Sequence, residues 1–269
     1  MSALLAAGRV LPFAIGGRRA LLIIERNFLI FRSAWLVILA GFFEPLFYLL
    51  AIGLGIGGLV GDVPGPGGEL IPYALFVAPA LLASASMNGA IAESTFNVFF
   101  KLNYQKTYDA ILATPLAPGD VALGEIGWAV IRATMYAVGF LLVVFVLGLV
   151  RSPWALLAVP AATLLAFAFA AVGMAATTFM RSWQDFDLVN LVILPLFLFS
   201  CTFFPITADP EALQGVVMLT PLWHGVDMIR AVVMGAVDPS ILWHVAYLGA
   251  MGLAGLAVVA RRLDRMLLK

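Results

Sequence analysis

The chain has 269 residues, of which 63% are hydrophobic and 11% are charged, and its 15 basic and 15 acidic residues cancel. Soluble domains carry about 25% charged residues, so these few charges cannot cover a water-facing surface. The composition argues against a soluble enzyme, a disordered tail and a nucleic-acid-binding protein, and it favours one polytopic membrane domain. The single cysteine, Cys201, excludes an internal disulfide framework.

The N-terminal residues 1–33 predict an amphipathic helix that lies in the membrane interface. On a helix, Glu25 and several arginines share one stripe, whereas most apolar residues between 21 and 31 lie on the other side. The same charges interrupt the apolar core that a secretory signal requires. Residues 34–269 are assigned to the membrane domain.

Apolar stretches long enough for a bilayer predict an all-α protein with six transmembrane helices. The fifth stretch is short and contains Pro195, and two short re-entrant or surface helices, separated by Pro221, are predicted before the last span. Asp227 and Arg230 lie three residues apart on the second of these helices, which predicts a local ion pair. The predicted spans are about 34–59, 72–98, 121–148, 154–179, 189–205 and 241–260.

The basic residues predict how the chain is oriented in the membrane. With the N-terminus in the cytoplasm, twelve basic residues fall in the inner segments and two fall in the outer loops. This asymmetry follows the positive-inside rule, and six spans return the C-terminus to the same side. Both termini are therefore predicted to be cytoplasmic.

The sequence contains no motif for nucleotide or metal chemistry of its own. The segment from Gly53 to Gly58 matches GxGxxG, but it ends a predicted span, where close helix packing or a turn explains the glycines. The sequence has no P-loop motif, GxxxxGK[ST], that would bind nucleotide phosphates. His224 and His244 are isolated in the sequence and have no metal-ligand spacing. We therefore predict no catalytic residue, no metal site and no bound cofactor in this chain.

Charged residues inside the predicted spans are candidate functional groups, because burying a charge in lipid costs a few kcal/mol. Glu93, Glu125 and Arg132 are predicted to form a polar cluster near the cytoplasmic surface, and a direct role in substrate contact is the alternative. Glu44, inside the first span, is a candidate substrate or gate contact, or a partner for a polar group on a neighbouring helix.

The inner connection between the second and third spans predicts a short rigid helix over residues 105–113. Pro115 stops this helix, because the residue before a proline avoids the helical region, and Asp120 suits the N-cap of the next span. A rigid helix on the cytoplasmic side can transmit a push from a docked partner, and a simple interfacial helix is the alternative.

The segment Tyr108-Asp-Ala-Ile-Leu-Ala-Thr-Pro-Leu116, followed by Gly124-Glu125, resembles the inner-loop signature of ABC-2 type ABC-transporter permeases. The nodulation-type lipo-oligosaccharide exporter permeases and the daunorubicin-type drug exporter permeases are the most similar groups. Other segments resemble the family in the same order, namely Glu44-Pro-Leu-Phe-Tyr-Leu-Leu50, Phe203-Phe-Pro205 and Pro221-Leu-Trp-His-Gly-Val-Asp-Met-Ile-Arg230.

The resemblance implies a permease subunit of an exporter in a bacterial-type inner membrane. It implies that an amphipathic substrate, such as a lipid-linked saccharide, a glycolipid or a hydrophobic drug, leaves the cytoplasm or inner leaflet. A separate nucleotide-binding subunit would hold ATP and Mg and drive transport, and a second permease, identical or related, would complete the assembly. The coupling helix that docks on the ATPase would use Tyr108, Asp109, Ile111, Leu112 and Thr114.

Two other functions remain open from the residues alone. A proton-coupled secondary transporter could use Glu44 and Glu93, and it would need no ATPase partner. A lipid-modifying membrane enzyme would need a catalytic constellation near one interface, and the sequence shows none. Lipid contact is expected in each case, and no nucleic-acid partner is expected.

Overall fold

Long apolar stretches separated by short polar segments fold into a bundle of helices, because a helix satisfies its own backbone hydrogen bonds in lipid. The computed structural model describes residues 17–32 and 43–267, so residues 1–16 and the first part of the first predicted span lie outside the described residues. The helices are α1 (Gly17–Arg32), α2 (Phe43–Val60), α3 (Tyr73–Asn103), α4 (Thr107–Leu112), α5 (Pro118–Val146), α6 (Pro153–Thr177), α7 (Asp185–Phe199), α8 (Glu211–Met218), α9 (Pro221–Met234) and α10 (Ile241–Leu267).

Five helices in the described part of the chain, α2, α3, α5, α6 and α10, are long and apolar enough to cross a membrane. Helices α3, α5, α6 and α10 overlap the predicted spans. Helices α8 and α9 meet at 87° and count as a sixth candidate only if the bent pair is one span. The structure therefore supports an all-α membrane protein with five or six candidate spans, and the side on which each terminus lies stays a prediction.

The predicted fifth span, 189–205, differs from the helix that forms there. Helix α7 (Asp185–Phe199) has 15 residues, about 22 Å at 1.5 Å per residue, which is shorter than the roughly 30 Å hydrocarbon layer. The chain leaves the helix at Ser200, and Cys201 adopts a left-handed conformation with φ of 56°. A left-handed residue cannot continue a right-handed helix, so residues 200–205 form an irregular link rather than the end of a span.

Helix α3 is the centre of the bundle. In its most apolar stretch 89% of the residues are buried, and it packs against α5, α6 and α9. The hydroxyls of Ser84 and Ser86 donate to carbonyl oxygens one turn earlier, so these buried side chains need no partner on another helix. Because α5, α6 and α9 all pack against α3, this helix positions most of its neighbours.

Near its C-terminal end, α3 widens into a π-helical turn at Glu93–Asn97. Such turns leave backbone groups without their regular helical partners. The hydroxyl of Thr177, on α6, donates to the Ser94 carbonyl at 3.1 Å and satisfies one of them. Gly173 permits this approach, because a side chain there would meet Ser94. The irregular turn is therefore held from outside by α6.

Helix α1 packs along the start of α5. Its buried face contains Ala20, Ile23 and Asn27, whereas Leu21 and Phe28 are among several large apolar residues exposed on the opposite side. This distribution fits a helix with one face on protein and another in lipid. The connection between α2 and α3 forms a small hairpin of β1 (Asp62–Pro64) and β2 (Leu70–Pro72), which pair antiparallel.

Gly124 sets the distance between α1 and α5. A Cβ atom added there would lie 2.6 Å from Ile23 Cβ and 3.0 Å from the Ala20 carbonyl oxygen. We expect Gly124→Ala to lower the free energy of unfolding by about 1–3 kcal/mol, because α1 must move away from α5. Gly249→Ala on α10 is the matched control, since a Cβ there meets nothing within 4 Å. Thermal unfolding of both variants in detergent checks this, and equal stability of the two would contradict it.

Candidate functional site

The inner helix α4 (Thr107–Leu112) forms within the predicted region and stands between α3 and α5. It begins after Lys106, which has a positive φ of 51° and turns the chain sharply away from α3. At its other end, the Thr114 hydroxyl donates to the Ile111 carbonyl at 2.5 Å, one residue before Pro115. A defined start and a defined stop make α4 a fixed projection rather than a free loop.

The five predicted coupling residues do not share one role. Asp109 and Thr114 are exposed, and Ile111 and Leu112 are half-buried. Tyr108 is only 1% exposed and points into the protein, so its side chain cannot touch a docked partner directly. The expectation that all five residues contact a partner is therefore corrected for Tyr108, which anchors the helix instead.

A buried polar cluster lies next to Tyr108. The Lys101 ammonium donates to Glu125 Oε2 at 2.7 Å and to Asn27 Oδ1 at 3.1 Å, and the Asn27 amide also donates to Glu125 Oε2 at 3.0 Å. The three residues come from α3, α5 and α1, so one set of hydrogen bonds joins three helices. The sequence analysis did not identify Lys101 or Asn27, because their partners are 24 and 98 residues away.

The Tyr108 hydroxyl is protonated in this environment. Burial raises the pKa of Tyr108 well above its usual value, and the charge of the neighbouring Glu125 carboxylate adds to the shift. Within the described residues, neither Tyr108 Oη nor the second Glu125 oxygen, Oε1, has a close hydrogen-bond partner, but the two side chains are near enough for Glu125 to act on the pKa of Tyr108. Tyr108 thus anchors α4 beside the Glu125 carboxylate.

A second ion pair joins Glu93 on α3 with Arg132 on α5. Asn97 donates to the same Glu93 oxygen at 2.7 Å, and Arg132 donates to the Tyr136 hydroxyl at 2.7 Å. The guanidinium also lies 4.5 Å from the centroid of the Phe31 ring, within the range of a cation–π contact. Glu93 and Arg132 therefore lie together, whereas Glu125, which was predicted in the same cluster, belongs to the separate cluster with Lys101.

Beside this pair lies a cavity of about 960 Å³ between α1, α2, α3, α5 and α7. Glu44 lines the exposed rim of this cavity, which Glu93 and Arg132 also line. The sequence predicted Glu93 and Arg132 in one cluster and Glu44 apart from it, but it gave no sign of three asparagines, because single amides in apolar spans have no spacing signal. The charged and amide side chains of the lining are Glu44, Asn88, Glu93, Asn97, Arg132 and Asn190.

The predicted ion pair between Asp227 and Arg230 does not form in the structure. Arg230 turns inward and donates to the carbonyls of Cys201 at 2.7 Å and Phe76 at 3.3 Å. Asp227 instead lies 3.2 Å from Nε2 of His244 on α10. Residues three apart on a helix can meet, but here each side chain finds a partner on another element. Arg230 thereby holds the irregular link after α7.

The two histidines that are isolated in the sequence are adjacent in the fold. Nδ1 of His224 lies 2.7 Å from Nδ1 of His244, and both side chains are buried. The His224 ring stacks on Tyr247 with centroids 4.0 Å apart. Among the described residues, no group of three or more histidine, cysteine or acidic side chains is arranged to hold a metal ion. The cluster joins α9 to α10.

Comparison with known proteins adds a family likeness over most of the chain. Residues 18–234 match the family model described as ABC-2 type transporter. Nodulation protein J of Rhizobium leguminosarum bv. viciae is 32% identical over 256 residues, which are 93% of this chain and 97% of that protein. Nodulation protein J of Rhizobium meliloti (strain 1021) is 33% identical over 230 residues, 84% of each chain. That of Neorhizobium galegae is 28% identical over 250 residues, 90% of this chain and 92% of the relative.

The buried cluster beneath α4 makes a testable prediction about stability. We expect Lys101→Met to lower the free energy of unfolding by about 3–5 kcal/mol, because it leaves the Glu125 charge buried without its cation. The double variant Lys101→Met/Glu125→Leu should lose less than the single variant, because it removes both charges. Denaturant unfolding in detergent measures the two values, and a double variant less stable than the single one would contradict the pairing.

Proposed function

The chain belongs to the ABC-2 type transporter family, and from this premise we propose that it exports an amphipathic substrate with energy from a separate ATPase. As a family member it is a multi-pass protein of the bacterial inner membrane and the membrane subunit of an ABC transporter rather than an enzyme. The family also implies association with an ABC ATP-binding subunit. The finer proposal concerns the substrate, the direction and the mode of coupling.

The exposed face of α4 is the observation that carries the coupling proposal. Asp109 faces outward on α4 and Thr114 directly after it, whereas Tyr108, on the inner side of α4, is fully buried. A partner that presses on this face moves α4 as a unit, and the buried Lys101–Glu125 pair passes the displacement to α3 and α5. ATP and Mg bind in the partner, and ATP-driven closure of the ATPase shifts the population between inward-facing and outward-facing arrangements.

The substrate proposed is a lipid-linked saccharide, a glycolipid or a hydrophobic drug that leaves the cytoplasm or the inner leaflet. Three observations support it: the resemblance to exporter permeases, the likeness to proteins named nodulation protein J, and a cavity that combines charged and aromatic walls. The polar part of an amphiphile suits the charged wall, and its apolar part suits the aromatic wall. The orientation with both termini in the cytoplasm puts the Glu93–Arg132 end of this cavity in the cytoplasmic half.

A second permease, identical or related, completes the proposed transporter. Exposed apolar side chains cover α2 and α7, among them Phe47, Leu191 and Val192. Such a surface suits contact with lipid and with another permease, since neither contact requires polar groups. Substrate would then pass between the two permeases.

The proton-coupled carrier is the weaker candidate. Glu93 already holds an ion pair with Arg132 and a hydrogen bond from Asn97. A carboxylate that cycles protons during transport would have to release both partners in each cycle. Transport driven by a pH gradient without ATP would favour that carrier over the exporter.

The double variant Asp109→Arg/Ile111→Pro tests the coupling proposal. Charge reversal alters the exposed face of α4, and proline removes the backbone donor in its last turn. We expect at least about tenfold lower substrate-stimulated ATPase activity of the assembled transporter, or loss of the ATPase on purification.

The control for this experiment is Glu211→Arg, which reverses an exposed charge on α8. It should leave both assembly and ATPase activity unchanged, and thermal unfolding confirms that both variants keep the membrane fold. Unchanged substrate-stimulated ATPase activity in the α4 variant would show that the partner docks elsewhere.

A further inference from the structure

Helix α7 packs loosely against the rest of the bundle. Of its 15 residues, only Phe186 is buried among the residues that the structure describes. Between α7 and its neighbours α3, α6 and α10 lies a second cavity, of about 860 Å³, a volume within the roughly 300–1,000 Å³ typical of small-molecule sites. The side of α7 that faces α6 and α10 is therefore open to a ligand.

The walls of this second cavity are mostly apolar, and they include Phe169 and Met251. The Thr95 hydroxyl, which also lines it, already donates to the Ile91 carbonyl at 2.7 Å. Water is a poor occupant of such a space, because a buried water needs about 2–4 polar partners. The other polar side chains of the lining lie together at the turn between α6 and α7, namely Arg181, Ser182 and Asp185. The cavity thus suits a molecule that is apolar over most of its length and polar at one end.

The second cavity opens toward the membrane, and its length matches one leaflet. Val172, Phe179 and Leu188 line it and are exposed, and α6 and α10 beside them are candidate spans. Along α7 the lining runs from Asp185 to Leu196, about 16 Å at 1.5 Å per residue. This length is about half of the roughly 30 Å hydrocarbon layer. An acyl chain from one leaflet can therefore enter from the side and fill the cavity.

The polar end of the second cavity carries positive charge. Arg181 is exposed there, and the Arg262 guanidinium lies 4.0 Å from the centroid of the Phe179 ring, which is part of the cavity wall. Among the described residues of the lining, the only carboxylate, that of Asp185, accepts hydrogen bonds from the backbone N–H groups of Arg181 at 2.7 Å and Ser182 at 3.1 Å. Two guanidinium groups beside one hydrogen-bonded carboxylate favour an anionic head group, and arginine binds phosphate through charge-assisted hydrogen bonds.

We infer that the second cavity binds a phospholipid of the surrounding membrane. One acyl chain lies between α6, α7 and α10, and the phosphate contacts Arg181 and Arg262. The acyl chain gives α7 the packing that its protein neighbours leave out, so this lipid is a resident part of the fold rather than the exported molecule. The site is therefore independent of which substrate is exported, and it goes beyond the proposed function.

Lipid binding by the full chain in n-dodecyl β-maltoside tests this site. Native mass spectrometry counts bound palmitoyl-oleoyl phosphatidylglycerol during a titration, and we expect one lipid per chain to bind before any others. Ala176→Trp places a large side chain in the second cavity, and Arg181→Gln removes the exposed cation at its polar end. We expect at least about tenfold weaker binding of the first lipid for Ala176→Trp, because the indole occupies the space of the acyl chain. Arg181→Gln should cause a severalfold loss, because a charge-assisted contact is removed.

The matched controls lie outside this cavity. Ala92→Trp places the same side chain in the cavity lined by Glu93 and Arg132, and Arg151→Gln removes an exposed arginine just before α6, at the opposite end of that helix. Both should bind the lipid like the unaltered chain. Palmitoyl-oleoyl glycerol should bind more weakly, because it lacks the phosphate, and inorganic phosphate should not displace the lipid, because it lacks the acyl chain.

Weaker lipid binding in both cavity variants and in neither control would support the resident lipid. Equal binding by the unaltered chain, Ala176→Trp and Arg181→Gln would overturn it, and so would equally tight binding of palmitoyl-oleoyl glycerol. If a second permease fills the cavity in place of lipid, Ala176→Trp weakens the dimer and leaves lipid binding unchanged, and this result also overturns the site. Thermal unfolding shows whether Ala176→Trp keeps the fold, and Arg181→Gln decides the test if it does not.

Discussion

The structure depends on the rule that a charge buried among apolar helices must have a partner. The ion pairs Lys101–Glu125 and Glu93–Arg132 both join α3 to α5. Each unpaired charge would cost several kcal/mol in this environment, so the pairs fix how the two helices are rotated and how far each is inserted. Asn27 extends the first pair to α1, which ties the interface helix to the same core.

In the proposed mechanism, these ion pairs support both α4, where the ATP-binding subunit docks, and the large cavity, where the substrate binds. At one end of the bundle, Tyr108 packs α4 next to the Lys101–Glu125 pair, and Asp109 remains exposed for a partner. About two helical turns deeper, the Glu93–Arg132 pair forms one wall of the large cavity. Because α3 contains both Lys101 and Glu93, the proposed displacement of α4 reaches the cavity along one helix, through its π-helical turn at Glu93–Asn97. The proposed docking helix and the proposed substrate cavity are therefore neighbours in the fold.

The sequence predicted the parts of this arrangement that depend on local signals. Hydropathy located most of the long helices, and Pro115 with the apolar spacing before it located α4. Partner choice could not be predicted, because it depends on helix rotation. Glu125 and Arg132 share a helix face, yet each pairs with a different residue of α3, whose π-helical turn at Glu93–Asn97 shifts the register between them. In the same way, Arg230 bonds to the Cys201 carbonyl rather than to Asp227, and no spacing rule predicts this choice of partner.

The most direct test of the account is cross-linking between α4 and the ATP-binding subunit. Asp109→Cys in a Cys201→Ala background places a single exposed thiol on α4, and Glu211→Cys in the same background is the control on α8. The account predicts that a maleimide carrying a photoreactive benzophenone, attached to the thiol and then photoactivated, joins the Asp109→Cys protein, and not the control, to the ATP-binding subunit in intact membranes. Absence of this cross-link in a variant that still transports its substrate with ATP would contradict the account.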